Sequence, residues 1–98
     1  MHIRIPPEQI EAFCRKWKIR EFALFGSVLR DDFRPDSDVD VLVEFQPDAR
    51  HTLYEILDMK AELSSLYGRE VDLVEKRAVI NPFVRNHMLR SNEILYAA

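Results

Sequence analysis

Apolar positions near the N-terminus fall at Ile10, Phe13, Cys14 and Trp17, the i, i+3, i+4, i+7 spacing of a helix that buries one face. Pro6 and Pro7 suit a helix start, where a missing N–H costs nothing, so a first helix is expected from about Pro7 to Lys18. The pattern then changes to a short apolar run, Glu21–Phe25, which stops at Gly26 and reads as a buried strand. Val39–Phe45 is rich in β-branched residues and closed by Pro47, which predicts a second strand. From His51 to Tyr67, the positions Leu53, Ile56, Leu57, Lys60, Leu63 and Tyr67 lie near one helical stripe, and Gly68 stands where a helix C-terminus favours a left-handed residue. Val71–Val74 predicts a third strand, and Asn81-Pro82 forms an N-cap and N1 pair that opens a last helix to about Leu89. A short helix is expected from Val28 to about Asp32, and the tail Glu93–Ala98 fits helix or strand equally. Helices alternating with strands, with no repeat or linker, imply an α+β fold: a small mixed β-sheet with helices packed on it.

Composition narrows the picture. A chain of 98 residues has room for one core, so a single domain, 1–98, is expected, and 47% hydrophobic with 32% charged content fits a folded domain rather than a disordered one. Cys14 is the single cysteine, which excludes an internal disulfide or a CxxC pair and makes a reducing cytoplasm the natural compartment. No apolar run approaches the roughly 20 residues that span a bilayer, and the N-terminus has no signal-like apolar region, so neither membrane insertion nor secretion is expected. A net charge of -3 argues against a broad nucleic-acid surface, which works by lysine and arginine displacing counterions from phosphates. His2, His51 and His87 are scattered and are expected to be surface or capping residues rather than metal ligands. Cys14 and Trp17 are expected in the core, as are Phe83, Met88, Leu89, Ile94, Leu95 and Tyr96, with an interface as the alternative for that C-terminal group.

Three features carry candidate chemistry. Gly26-Ser27 stands between a strand and a short helix, where free backbone N–H groups and the positive end of a helix dipole can meet a phosphate. Glycine permits close approach, and the Ser27 hydroxyl can cap the helix or donate to a phosphate oxygen; taken alone, such a pair is more often an ordinary turn. Alternation puts Asp38 and Asp40 on one face of the second strand and Val39, Val41 and Val43 on the other. Two neighbouring carboxylates repel unless a cation such as Mg²⁺ bridges them, although a bare Asp-x-Asp is more often a solvated strand face. Asp72 interrupts the apolar third strand. If that strand lies beside the second, Asp72 joins Asp38 and Asp40 as a two-metal carboxylate set; otherwise it is an acid facing solvent at a strand end.

In combination, the run from Gly26 to Asp40, Gly-Ser-Val-Leu-Arg-Asp-Asp-Phe-Arg-Pro-Asp-Ser-Asp-Val-Asp, resembles the signature of the minimal nucleotidyltransferases of the DNA polymerase β superfamily. That motif is Gly-Ser, ten intervening residues, then Asp-x-Asp, the spacing found from Ser27 to Asp38. Arg30, Arg34, Pro35-Asp36-Ser37 and Glu70–Val74 with Asp72 also match, and with the C-terminal Glu93–Tyr96 the likeness covers nearly the whole chain. The resemblance implies the polymerase β-like nucleotidyltransferase fold. It also implies catalytic and metal roles for Asp38, Asp40 and Asp72, nucleotide binding by Gly26, Ser27 and Arg30, Mg²⁺ as a two-ion cofactor and ATP as substrate. Arg30 is a natural counter-charge for a phosphate, but pairing with Asp31, Asp36 or Glu44 is an equal alternative.

Chains of this size in the family commonly act as antitoxins beside a helical HEPN-domain ribonuclease toxin, attaching AMP to a tyrosine of that partner. The resemblance therefore implies a protein adenylyltransferase with a HEPN-type toxin as partner, its oligomeric state left open. The sequence departs from the family pattern where Asp31 and Asp32 follow Arg30 in place of a small residue, and an acid there would weaken triphosphate binding. The competing reading is accordingly a binding-only antitoxin or regulatory subunit with weak or no catalysis. A small nucleic-acid-binding module is opposed by the acidic balance and by the lack of interleaved aromatic and basic residues.

Overall fold

The computed structural model describes residues 5–25, 38–78 and 92–98. Helix α1 spans Pro7–Lys16, strand β1 Ile19–Phe25, β2 Val39–Phe45, helix α2 Leu53–Tyr67, β3 Val71–Glu75 with a 3₁₀ turn over Lys76–Ala78, and β4 Asn92–Ala97. The short helix expected at Val28–Asp32 and the last helix at Asn81–Leu89 lie outside the described residues. The strands form one sheet in the order β3-β2-β1-β4, with β1 antiparallel to β2 and β4 and β3 parallel to β2. That is the mixed sheet with helices expected of the sequence, and the ambiguous tail is an edge strand. No described helix is long and apolar enough to cross a membrane.

Helix α1 opens on Pro7, carries Glu8 in its first turn and Arg15 and Lys16 in its last, and so places charges that favour both ends of its dipole. It ends two residues earlier than its periodicity implies. Lys18 adopts a left-handed φ of 55° and swings the chain into β1. Ile10, Phe13 and Cys14 are buried, and Trp17 is half-buried at the helix end, its indole N–H donating to Glu62 at 2.9 Å.

Helix α2 is held at its start by a reciprocal cap. The Glu55 N–H donates to the Thr52 hydroxyl at 3.2 Å and the Thr52 N–H donates to the Glu55 carboxylate at 3.1 Å, which lowers the Glu55 carboxyl below its ordinary range. At its other end Gly68, with φ of 69°, caps the helix through its N–H to the Ser64 carbonyl. The buried stripe of α2 is Met59, Leu63 and Tyr67 with Ile56 packed beside them, which corrects the expected stripe at its N-terminal end. Leu53 and Leu57 are 72% and 53% exposed, and Tyr54 is 80% exposed. This helix has more apolar positions than one face can hold, and the sheet selected the row that periodicity alone did not single out.

The core forms between both helices and one face of the sheet, from Ile10, Phe13, Cys14, Phe22, Leu24, Val39, Val41, Val43, Met59, Leu63 and Val71 among others. At the C-terminal strand, Tyr96 packs against this core, but Ile94 and Leu95 are 53% and 38% exposed, so the expectation that they are core does not hold. An edge strand with a bulge opposite Phe22 and Ala23 has fewer neighbours to bury against than its composition implied.

Candidate active site

The acids of the site owe their position to the valines beside them. Val39 and Val71 are both fully buried and are register partners across β2 and β3, fixed by the Val39 N–H donating to the Glu70 carbonyl at 3.0 Å. Val71 is anchored in turn from α2, where the Ser64 hydroxyl accepts its N–H at 3.2 Å. Because side chains alternate along a strand, the next residue on each, Asp40 and Asp72, points to the face opposite the helices. These two are also register partners. Parallel neighbours lie about 4.8 Å apart in the backbone, so the two carboxylates issue side by side. Asp40 is half-buried and Asp72 exposed; Asp38, exposed, stands just ahead of β2 and on the same face by alternation.

Phe25, the last residue of β1, is the register partner of Asp40 on its other side. Gly26 and Ser27 follow Phe25 directly in the chain, and they and Arg30, with Asp31 and Asp32, lie outside the described residues. The structure thus brings together Asp40 and Asp72 with the end of the strand that leads into Gly26-Ser27. Among the described residues no three carboxylate, imidazole or thiolate side chains are gathered into a ready metal-ligand set. The donors present are carboxylate oxygens on adjacent strands, the hard ligands that a Mg²⁺ ion takes alongside water and phosphate oxygens, so the residues fit that ion.

The register orders the rest of this face into rows. Behind the acids come Ala23 and Leu42, paired across β1 and β2 and 1% and 3% exposed, with Val74 beside Leu42 on β3. The acid-bearing face is therefore not a fully solvated one. The next row is charged: Glu21 and Glu44 are register partners, and Lys76 lies 2.8 Å from Glu21 and 3.6 Å from Glu44. Arg20 and Arg77 each approach Glu44 at 3.9 Å. This network was not singled out in the sequence, although Asp38, Asp40, Leu42 and Glu44 share one parity along β2 and so mark one continuous face.

His51, expected at the surface or as a capping residue, is instead largely enclosed. Its side chain is 10% exposed, its Nε2–H donates to the Trp17 carbonyl at 2.6 Å, and its ring packs edge-on against Phe45 and Trp17 at centroid distances of 4.7 and 6.0 Å. It joins the end of α1 to the end of β2, and only the fold brings those segments together.

Residues 7–96 match the family model described as a nucleotidyltransferase domain. The chain belongs to the nucleotidyltransferase family. A protein of Methanocaldococcus jannaschii, provisionally named a protein adenylyltransferase, is 36% identical to this nucleotidyltransferase over 70 residues, 71% of this chain and 70% of the relative. A crystal structure of a toxin–antitoxin with AMP-PNP is similar with a TM-score of 0.72 and 23% identity, over 96% of this chain and 75% of that one. A structure of a tri-AMPylated Shewanella oneidensis HEPN toxin in complex with MNT antitoxin is similar with a TM-score of 0.67 and 19% identity, over 94% and 70%. At those identities the two structures establish a shared fold, and the mixed sheet with helices packed on it that the sequence predicts is the fold they share.

Proposed function

We propose that this nucleotidyltransferase is a cytoplasmic protein adenylyltransferase that moves AMP from ATP to a tyrosine hydroxyl of a HEPN-type toxin and so acts as that partner's antitoxin. The observation that carries the reading is the register pairing of Asp40 with Asp72 at the end of the sheet where β1 leads into Gly26-Ser27. The comparisons support it: a relative is named for adenylyl transfer to protein, one similar fold is a toxin–antitoxin with an ATP analogue, and another is in complex with an AMPylated toxin.

In this reading Gly26 and Ser27 receive the triphosphate through backbone N–H groups and the serine hydroxyl, and Arg30 neutralises a phosphate oxygen. Asp38, Asp40 and Asp72 would hold Mg²⁺, which when bound supplies charge neutralisation for the triphosphate and activation of the acceptor hydroxyl. Asp72, exposed at the edge of the pair, orients the acceptor and takes its proton. The acceptor oxygen bonds to the α-phosphorus as the bond from that phosphorus to the bridging oxygen breaks, and pyrophosphate departs in line with the attack.

The test is incubation of the protein with α-labelled ATP, Mg²⁺ and a HEPN-type toxin from the same host. Label is expected on the toxin with wild type and not with Asp40→Asn. Wild-type protein that binds the toxin but transfers no label would replace this reading with that of a binding-only antitoxin.

A further inference from the structure

Strand β3 is the outer strand of the sheet beside β2, and it carries Asp72. The Val39 N–H donates to the Glu70 carbonyl, so in this parallel ladder Glu70, Asp72 and Val74 turn their backbone groups toward β2, and Val71, Leu73 and Glu75 turn theirs outward. The outward N–H of Val71 is taken up by the Ser64 hydroxyl. Leu73 has no such cover: among the described residues its outward N–H and C=O meet no hydrogen-bond partner, and the residue is only half-buried. An open donor and acceptor on a sheet edge are a template for another chain.

That open pair is next in the chain to Asp72, and its position fixes what an added antiparallel strand would present. A residue exchanging both bonds with Leu73 puts its own neighbour opposite Asp72 in a pair without hydrogen bonds, where Cα atoms come to about 4.5 Å and the side chains share a face. The shared face is the one that bears Asp40 and Asp72. Any phosphate attacked there lies beyond the carboxylate oxygens, which reach roughly 3.5 Å from their Cα; a tyrosine hydroxyl reaches roughly 6.5 Å and a serine hydroxyl only roughly 2.5 Å. Farther along the same edge, Glu75 is exposed and engages no cation among the described residues.

We propose that β3 receives the partner's acceptor tyrosine on an extended segment that adds antiparallel to this open edge. The segment pairs at Leu73, with the tyrosine opposite Asp72 and a lysine or arginine three residues before it opposite Glu75. This rests on the adenylyl-transfer reading for the role of Asp72, and it accounts for tyrosine over serine by side-chain length. The probe is the peptide acetyl-Ala-Lys-Thr-Val-Tyr-Val-Thr-amide, titrated into ¹⁵N-labelled protein without ATP.

Saturable shifts are expected at the amides of Leu73 and Glu75, with a Kd of about a millimolar. N-methylation of the valine before the tyrosine, whose N–H donates to the Leu73 carbonyl, should weaken binding about tenfold; N-methylation of the tyrosine, whose N–H points away from β3, should leave it within about twofold. Exchanging the lysine for glutamate should weaken it about threefold. With α-labelled ATP and Mg²⁺, the tyrosine peptide should take label and its serine counterpart should not. No shift at Leu73, equal effects of the two N-methyl groups, or label on the serine peptide at a comparable rate would each overturn the docking mode, even where the whole toxin is labelled. Shifts with the expected pattern but no label on peptide or toxin would establish the edge as a peptide site and overturn the acceptor role.

Discussion

Asp40 and Asp72 are register partners on adjacent parallel strands, each one residue beyond a fully buried valine that is itself a register partner of the other. The buried pair, Val39 and Val71, fixes the phase of both strands. A slip of one residue in either would turn an acid into the core, at several kcal/mol or more for an unpaired carboxylate. The packing of the core thus sets the two carboxylates side by side.

Replacing either acid should therefore separate activity from stability. On the proposed function, Asp40→Asn and Asp72→Asn are expected to lower adenylyl transfer by at least about a hundredfold, because each would remove a charge assigned to the reaction while keeping the side chain's shape. The cost in urea unfolding should be small, on the order of 1 kcal/mol or less, since neither acid is in the core. Parallel loss of activity and stability would show that the acids are structural.

Gly68 connects α2 to the strand that carries Asp72, and its φ of 69° is reached without crowding: a Cβ there would have no atom within 4 Å. Gly68→Ala is accordingly expected to cost about 1 kcal/mol from backbone conformation alone, with no clash to relieve. Equilibrium denaturation measures it. A loss of 3 kcal/mol or more would mean that the turn is packed more tightly than the geometry allows.

Much of this was legible in the residues. Strand β2 is bounded as its β-branched run predicts, and α2 has the C-terminal glycine that ends it. The parity of Asp38, Asp40 and Val39 gave the faces correctly, because alternation is a local property of a strand. The pairing of Asp40 with Asp72 required knowing that β3 lies beside β2, a choice made by tertiary packing. The exposed Leu53 and Leu57 of α2, and Ile94 and Leu95 of β4, failed for the same reason: hydrophobicity says what can be buried, and the number of neighbours decides what is. His51 carried no local signal, since its partners Trp17 and Phe45 come from other elements.

His51→Ala tests that last point. The variant would remove the donor to the Trp17 carbonyl and the ring packed on Phe45 together, for an expected loss of about 2 kcal/mol in thermal or urea unfolding. His51→Asn, which can still donate but fills less space, should recover part of it. If alanine cost less than about 0.5 kcal/mol, the junction between α1 and β2 would not depend on this side chain.

The core also sets an alkaline limit on stability. Burial pushes the Cys14 thiol from 9.0 up to about 12, and burial, with the charges of Glu93 and Cys14, pushes the Tyr67 phenol from 10.0 up to about 12. Both groups are neutral when protonated and ionise more readily in the unfolded chain, so folding binds their protons. Their contribution is complete below about pH 9 and is lost as pH rises, at about 1.4 kcal/mol per unit from Cys14 alone and at up to twice that slope once Tyr67 joins above about pH 10. Cys14→Ala should remove the first segment and leave a decline that begins near pH 10. Tyr67→Phe should remove the second, and because the Tyr67 hydroxyl has no hydrogen-bond partner among the described residues, it should also leave neutral-pH stability unchanged or raise it by up to about 1 kcal/mol. Urea midpoints measured between pH 8 and 12 give both slopes; a curve in Cys14→Ala that still falls from pH 9 would mean that another group limits the fold.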